Sequence, residues 1–295
     1  MKSVIFTGAG TALVTPMKQD GSVDFTRLGQ LIDNQIEAGI DALIICGTTG
    51  ESAALSECEH ISCVEYAVRR AAGRVPVIAG AGSNNTAKAV RLSKAAAEAG
   101  ANALLHVTPY YNKTSQQGLI RHFTAVADAT DLPVILYNVP SRTGVNIAPQ
   151  TCRILADHPN IAALKEASGN LSQAAETAQL CGDDLTIYSG NDDQILPLMS
   201  IGAKGVISVL SNLLPKETHQ LCQLCLDGNL EESRRLQLKL LPLIHALFSD
   251  VNPIPIKKAM KLIGFDCGPC RLPLVEMSPE GKENLRNRLQ EAGLL

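Results

Sequence analysis

The sequence predicts an α/β protein: a (β/α)8 TIM barrel with a C-terminal helical extension. Three observations carry that prediction. Eight apolar, β-branched runs recur along the first 228 of 295 residues, as buried strands do. Amphipathic segments rich in Ala, Leu, Glu and Lys separate them, so strand and helix alternate and the sheet is parallel. A doubly wound open sheet is disfavoured because Gly8-Ala9-Gly10 and Gly80-Ala81-Gly82 lack the third glycine of a dinucleotide fingerprint, and no Walker A motif occurs.

The first strand is read at residues 10–15. The preceding Val-Ile-Phe-Thr-Gly-Ala-Gly stretch is interrupted by Thr and Gly too early for a signal peptide. Residues 24–39 form a helix, with Leu28, Leu31, Ile32, Gln35 and Ile36 at helical spacing and Gly39 as its stop. Strands are expected at 42–47 and 75–82, followed by a helix at 86–100 with Thr86 as N-cap and Gly100 past its end. Further strands are read at 103–109, 133–139, 161–168, 185–190 and 205–211. After residue 228 the strands cease, and 229–248, 255–263 and 278–292 read as helices punctuated by Pro253, Pro255, Pro269 and Pro273. The expected division is a catalytic barrel at 1–228 and a helical region at 229–295 packed on it.

Composition excludes several classes. The net charge is −3, no basic block occurs and aromatics are 3%, which argues against nucleic-acid binding. No apolar run approaches the about 18 residues of a membrane span. Nine cysteines are scattered through helical and strand-like segments, which suits buried free thiols in a reducing cytoplasm. Cys222-Gln-Leu-Cys225 lies on a helical stretch, and Cys267-Gly-Pro-Cys270 lacks the strand-to-helix context of a redox site, so zinc and redox roles are disfavoured.

In such a barrel the active site gathers at the C-terminal ends of the strands. Lys165 ends the apolar run Ile161-Ala162-Ala163-Leu164. A lysine in an apolar surround is either ion-paired or loses its proton, and the neutral amine attacks carbonyls. The plainer alternative is a partly buried lysine paired with Glu166 or reaching to solvent. Neighbouring strand ends favour the chemistry. Gly47-Thr48-Thr49-Gly50-Glu51-Ser52 combines turn-forming glycines with two hydroxyls, an anion cradle suited to a carboxylate. Four of the five tyrosines, all but Tyr66, fall at or beside strand ends, where a neutral hydroxyl can shuttle protons. Arg142 in Ser141-Arg142-Thr143-Gly144 suits a bidentate carboxylate contact. Lysine, cradle, tyrosines and arginine together imply an α-keto acid bound as a Schiff base, with the iminium rather than a metal or cofactor as electron sink.

On residues 47–52, 137–144, 165–170 and 205–208, in this order and spacing, the chain resembles the pyruvate-dependent class I aldolase superfamily that includes dihydrodipicolinate synthase and N-acetylneuraminate lyase. Within it the similarity is greatest to the synthases, and it spans essentially the whole chain. The resemblance implies condensation of pyruvate with L-aspartate 4-semialdehyde in the diaminopimelate route to lysine, with no cofactor. It implies that Lys165 forms the Schiff base and that Thr48 and Thr49 hold the pyruvate carboxylate. Tyr137, Thr48 and Tyr111 would relay protons, with Tyr111 supplied by a neighbouring subunit. Arg142 would bind the semialdehyde carboxylate, and Gly190 and Ile207 would approach the keto acid. It further implies a homo-oligomer, expected to be a tetramer built as a dimer of dimers.

In relatives inhibited by L-lysine, the allosteric pocket would correspond here to Ser52, Ala53, His60, Asn84 and Tyr110. Those relatives carry an acidic residue where this chain has Lys88, and some carry histidine where it has Glu57. A cation facing a cationic ligand repels it, so weak or absent lysine inhibition is expected. Two other readings stand beside the synthase: another pyruvate aldolase acting on a sugar acid or a hydroxyproline-derived keto acid, and a non-catalytic keto-acid-binding barrel. Arg142 disfavours the first, and the joint presence of Lys165, Tyr137, Tyr111 and Thr48 disfavours the second.

Overall fold

A computed structural model of the chain describes residues 2–295. Eight parallel strands close into a barrel in sequence order: β1 (Gly8–Ala12), β2 (Ala42–Ile45), β3 (Val77–Gly80), β4 (Ala103–Val107), β5 (Val134–Asn138), β6 (Ile161–Glu166), β7 (Thr186–Ser189) and β8 (Gly205–Ser208). The helices between them are α1 (Phe25–Glu37), α2 (Glu57–Ala71), α3 (Thr86–Glu98), α4 (Gln116–Ala127), α5 (Pro140–Thr143), α6 (Pro149–Ala156), α7 (Leu171–Cys181) and α8 (Ile195–Met199). Four more follow β8: α9 (Pro215–Leu226), α10 (Leu230–Leu247), α11 (Ile254–Leu262) and α12 (Pro279–Glu291).

All eight expected strands form, with differences at their ends. The apolar stretch Leu13-Val14-Thr15 follows β1 instead of extending it as strand, because Val14 N–H donates to the Asn212 side chain and the Thr15 hydroxyl donates to the Gly50 carbonyl. Residues 209–211 likewise leave β8: the Asp192 carboxylate accepts the Val209 and Leu210 N–H groups, both at 3.0 Å. The N-cap of α3 is Asn85, whose side chain accepts the Lys88 N–H, and not Thr86.

Alternation along the strands builds two apolar layers. Ile44, Ile78, Leu105, Ile135, Ala163 and Ile207 point into the barrel. Leu43, Leu104, Leu136, Leu164 and Val206 point outward to the helices. Closure of β1 on β8 depends on glycine: a Cβ at Gly205 would overlap the Gly8 carbonyl. The end of the barrel opposite the strand C-termini is plugged by Phe6 stacked on Tyr188, with ring centroids 4.3 Å apart. The Tyr188 hydroxyl donates to the Phe6 carbonyl at 2.7 Å. Tyr188 therefore belongs to this plug, and the rim holds three tyrosines where the sequence suggested four.

Beyond β8, α10 packs on α9 and α12, and α11 packs on α12. Among the described residues no helix is long and apolar enough to cross a membrane.

Candidate active site

Strand parity decides where Lys165 goes. In β6, Ala163 points inward and Leu164 outward, so Lys165 enters the barrel and Glu166 leaves it. Glu166 faces away, accepting from the Asn138 side chain at 3.1 Å and from Ser168 N–H at 2.5 Å. The pairing of Lys165 with Glu166 is thereby ruled out. Lys165 is 6% exposed, and its Nζ lies 4.3 Å from the ring centroid of Tyr137, its register partner on β5. Burial is the main reason the amine is held down at about 7; the Asp192 carboxylate opposes it and the Arg142 charge adds to it. Near neutrality a large share of the amine is thus unprotonated and nucleophilic.

Gly190 lets the lysine stem sit where it does. A Cβ there would come within 2.6 Å of the Ala167 Cβ and 3.1 Å of the Lys165 Cγ. Ile207 is fully buried in the same inner layer. Tyr137 is buried too, which raises its phenol above the ordinary range, while the Arg142 charge and the Thr48 side chain pull it the other way. Thr48, on the loop after β2, is thus a neighbour of the barrel interior.

That loop differs from the expected glycine-driven turn. Its left-handed residues are Cys46 at φ 54° and Glu51 at φ 56°, not Gly47 or Gly50. Among the described residues neither the Thr48 nor the Thr49 N–H donates to a backbone carbonyl, which leaves both able to receive an anion. The Thr49 hydroxyl accepts from Asn252 Nδ2 at 2.9 Å.

Above the loop opens a cavity of about 370 Å³ lined by Thr48, Ser52, Ala53, Tyr110, Arg142 and Asn252, among others. Lys165 and Tyr137 are not on its wall; Thr48, whose side chain influences the Tyr137 phenol, is. Arg142 lies on α5, a single turn closed by Gly144 in the left-handed conformation, and the Thr108 hydroxyl bonds Thr143 beside it at 2.9 Å.

Tyr111 is not joined to this group within one chain. It is 94% exposed, with φ 68°. Asn112 N–H bonds back to the Tyr110 carbonyl at 2.9 Å, closing a tight γ-turn that throws the Tyr111 ring into solvent. Asn84 fixes the turn by donating to the Tyr110 carbonyl and accepting from the Asn112 side chain. Of the residues expected at the lysine pocket, Ser52, Ala53 and Tyr110 line the same cavity and Asn84 bonds Tyr110. His60 is buried with Nε2 2.6 Å from the Gly80 carbonyl, and burial lowers its pKa. Lys88 sits 3.8 Å from Glu57, which Arg91 also engages at 3.3 Å.

Sequence reading missed three participants. Asn252 touches Thr49 from 203 residues away. Glu51 is ion-paired with Lys257 at 2.6 Å. The buried Asp192 holds the turn after β8, and its Oδ1 has no hydrogen-bond partner. The Asn252-Pro253-Ile254-Pro255-Ile256-Lys257 run was legible only as proline punctuation. Among the described residues no group of three or more His, Cys, Asp or Glu could hold a metal ion.

Comparison with known proteins agrees with this geometry. Residues 5–292 match the model of the "Dihydrodipicolinate synthetase family". A 4-hydroxy-tetrahydrodipicolinate synthase of Caldicellulosiruptor bescii is 54% identical over 290 residues, 98% of either chain. A dihydrodipicolinate synthase of Acinetobacter baumannii, solved in complex with pyruvate, superposes with a TM-score of 0.97 at 40% identity, covering 99% of this chain and 100% of that one. A monomeric dihydrodipicolinate synthase variant superposes with a TM-score of 0.96 at 45% identity, covering 99% and 98%. The chain belongs to the dihydrodipicolinate synthetase family.

Proposed function

We propose that this chain is a lyase that condenses pyruvate with L-aspartate 4-semialdehyde to 4-hydroxy-tetrahydrodipicolinate. The observation that carries the reading is the buried Lys165 amine over the Tyr137 ring, beside a cavity edged by Thr48 and Arg142. The amine attacks the C2 carbonyl of pyruvate, and loss of water gives the iminium. Removal of a C3 proton gives the enamine, whose C3 attacks the aldehyde carbon while the aldehyde oxygen takes up a proton. The amino group of the extended chain then attacks C2, closes the ring and expels Lys165.

Thr48 and Thr49 hold the pyruvate carboxylate through their free N–H groups. Tyr137 and Thr48 pass protons toward solvent, and Tyr111 of a second copy completes the relay. The strained, exposed presentation of Tyr111 supports that role. Arg142 takes the carboxylate of the semialdehyde; Gly190 and Ile207 shape the floor. We infer a homo-oligomer with a tetramer as its expected size, and a cytoplasmic location that suits nine free thiols. Residues 1–228 form the catalytic barrel and 229–295 a helical region packed on it. We further infer that L-lysine inhibits weakly or not at all, because Glu57 already serves Lys88 and Arg91 and leaves an excess cation.

The test is turnover of pyruvate with L-aspartate 4-semialdehyde, coupled to the downstream NADPH-dependent reductase, for the wild type and Lys165→Ala. Activity lost in the variant, together with borohydride-dependent attachment of pyruvate to Lys165, is expected. Attachment without turnover would move the assignment to another aldehyde acceptor. No attachment would sink the Schiff-base reading.

A further inference from the structure

The turn that carries Thr48 and Thr49 is not held by its own strand alone. Glu51 ends it in a left-handed conformation, φ 56°, that a non-glycine residue keeps only when its surroundings impose it. Those surroundings come from the far end of the chain. Glu51 Oε1 accepts from Lys257 Nζ at 2.6 Å, and Oε2 accepts from the Arg271 N–H at 2.8 Å. Lys257 also donates to the Pro269 carbonyl at 2.9 Å. The Arg271 side chain reaches the Gly21 carbonyl at 2.9 Å and the Ala54 carbonyl at 2.7 Å, and pairs with Glu59. Asn252 donates to the hydroxyl of Thr49, two residues before Glu51.

Both charges of the Glu51–Lys257 pair are almost fully withdrawn from water. Such a pair is a poor way to gain stability, because well-packed apolar residues of similar volume do as well or better. What it does supply is direction: two acceptor oxygens with fixed donors define the orientation of one backbone turn.

We propose that the Glu51–Lys257 ion pair is a positioning device for the Thr48–Thr49 cradle, so that the C-terminal helical region is a working part of the keto-acid site. The proposal rests on the pyruvate reading given above. Neither residue touches substrate; both act by aiming the N–H groups of Thr48 and Thr49. Loss of the pair lets the turn relax, and the carboxylate loses its two converging donors while Lys165 keeps its own surroundings.

The test compares wild type with Glu51→Gln, Lys257→Met and the double variant. The double variant buries no lone charge and remains measurable if Lys257→Met fails to fold. Borohydride trapping of pyruvate on Lys165, read against pyruvate concentration, reports the cradle without the second substrate; melting temperature reports the fold. The half-saturation for pyruvate is expected to rise about tenfold or more in each folded variant, with KM for the semialdehyde within about twofold of wild type. The double variant is expected to be no worse than the weaker single one, because both remove one strut. Lower melting temperatures with unchanged half-saturation for pyruvate would overturn the proposal and leave the pair a structural link only. A wild type that borohydride does not link to pyruvate would remove the pyruvate reading, and the proposal with it.

Discussion

Two lysines are buried in this molecule, and they are buried for opposite ends. Lys165 is 6% exposed and Lys257 4%. Lys257 is met by the Glu51 carboxylate at 2.6 Å and the Pro269 carbonyl at 2.9 Å, so its ammonium is neutralised and two of its three protons are used. Lys165 meets an aromatic face, its nearest sequence carboxylate, Glu166, points to the other side of the strand, and the buried Asp192 carboxylate only partly offsets the cost of burial. One amine is ion-paired, the other is held unpaired with its pKa lowered by burial. The residue type is the same; the placement of a hydrogen-bonding carboxylate separates the two.

The contrast is broken or sharpened most severely by removing each amine. Lys165→Met is expected to lower kcat on the order of 10⁴-fold or more, measured in the coupled assay, while the protein keeps its fold. Stability should move in opposite directions. Lys257→Met strands Glu51 without its ammonium and is expected to cost about 3–5 kcal/mol in denaturant melts. Lys165→Met removes an amine held at about 7 against an ordinary 10.5. The folded value is the lower one, so the native state pays for the ammonium below about 7 and is relieved as pH rises from 7 toward 10.5. The variant should therefore be the more stable protein near neutrality, by a few kcal/mol at about 1.4 kcal/mol per pKa unit, with the gap closing at alkaline pH. Equal destabilisation by both substitutions would erase the distinction.

A smaller perturbation leaves both amines in place. Gly190→Ala puts a methyl group against Ala167 and the Lys165 stem, and is expected to reduce kcat about 10- to 100-fold, because small misplacements of a reacting group are costly. Unchanged kcat would mean that the stem is free to shift. The pH profile is gentler still. kcat/KM for pyruvate should fall about tenfold per pH unit below about 7 as Lys165 takes up its proton. A profile flat down to pH 5 would deny Lys165 its lowered pKa. Smallest of all, L-lysine is expected to leave the rate nearly unchanged; sub-millimolar inhibition would show that the excess cation at Lys88 does not repel it.

Much of this was written in local pattern. The period of two in Ala163-Leu164-Lys165-Glu166 puts the lysine and the glutamate on opposite faces of the strand, and eight such runs separated by amphipathic helices leave few architectures open. The hydroxyls and glycines of residues 47–52 suggested an anion site, and the left-handed positions of that loop are Cys46 and Glu51. Tyr188 shows the limit of such reading: it stands beside a strand end in the chain, yet its hydroxyl reaches Phe6 at the opposite end of the barrel. Tyr111 shows another, since its outward throw depends on Asn84 and Asn112 bridging two loops.

By itself, the sequence determined the alternation of strand and helix and the inventory of amine, hydroxyls and guanidinium at the strand ends. These follow from periodicity and chemistry within a few residues. Only the tertiary structure decided which buried lysine is paired, because Glu51 and Lys257 lie 206 residues apart and no local spacing relates them. It likewise decided that Asn252 steadies Thr49 and that Gly8 meets Gly205 to close the barrel. The physical reason is the same in each case. Burial and hydrogen-bond satisfaction are properties of a site enclosed by distant segments, and they exist only once the chain has brought those segments together.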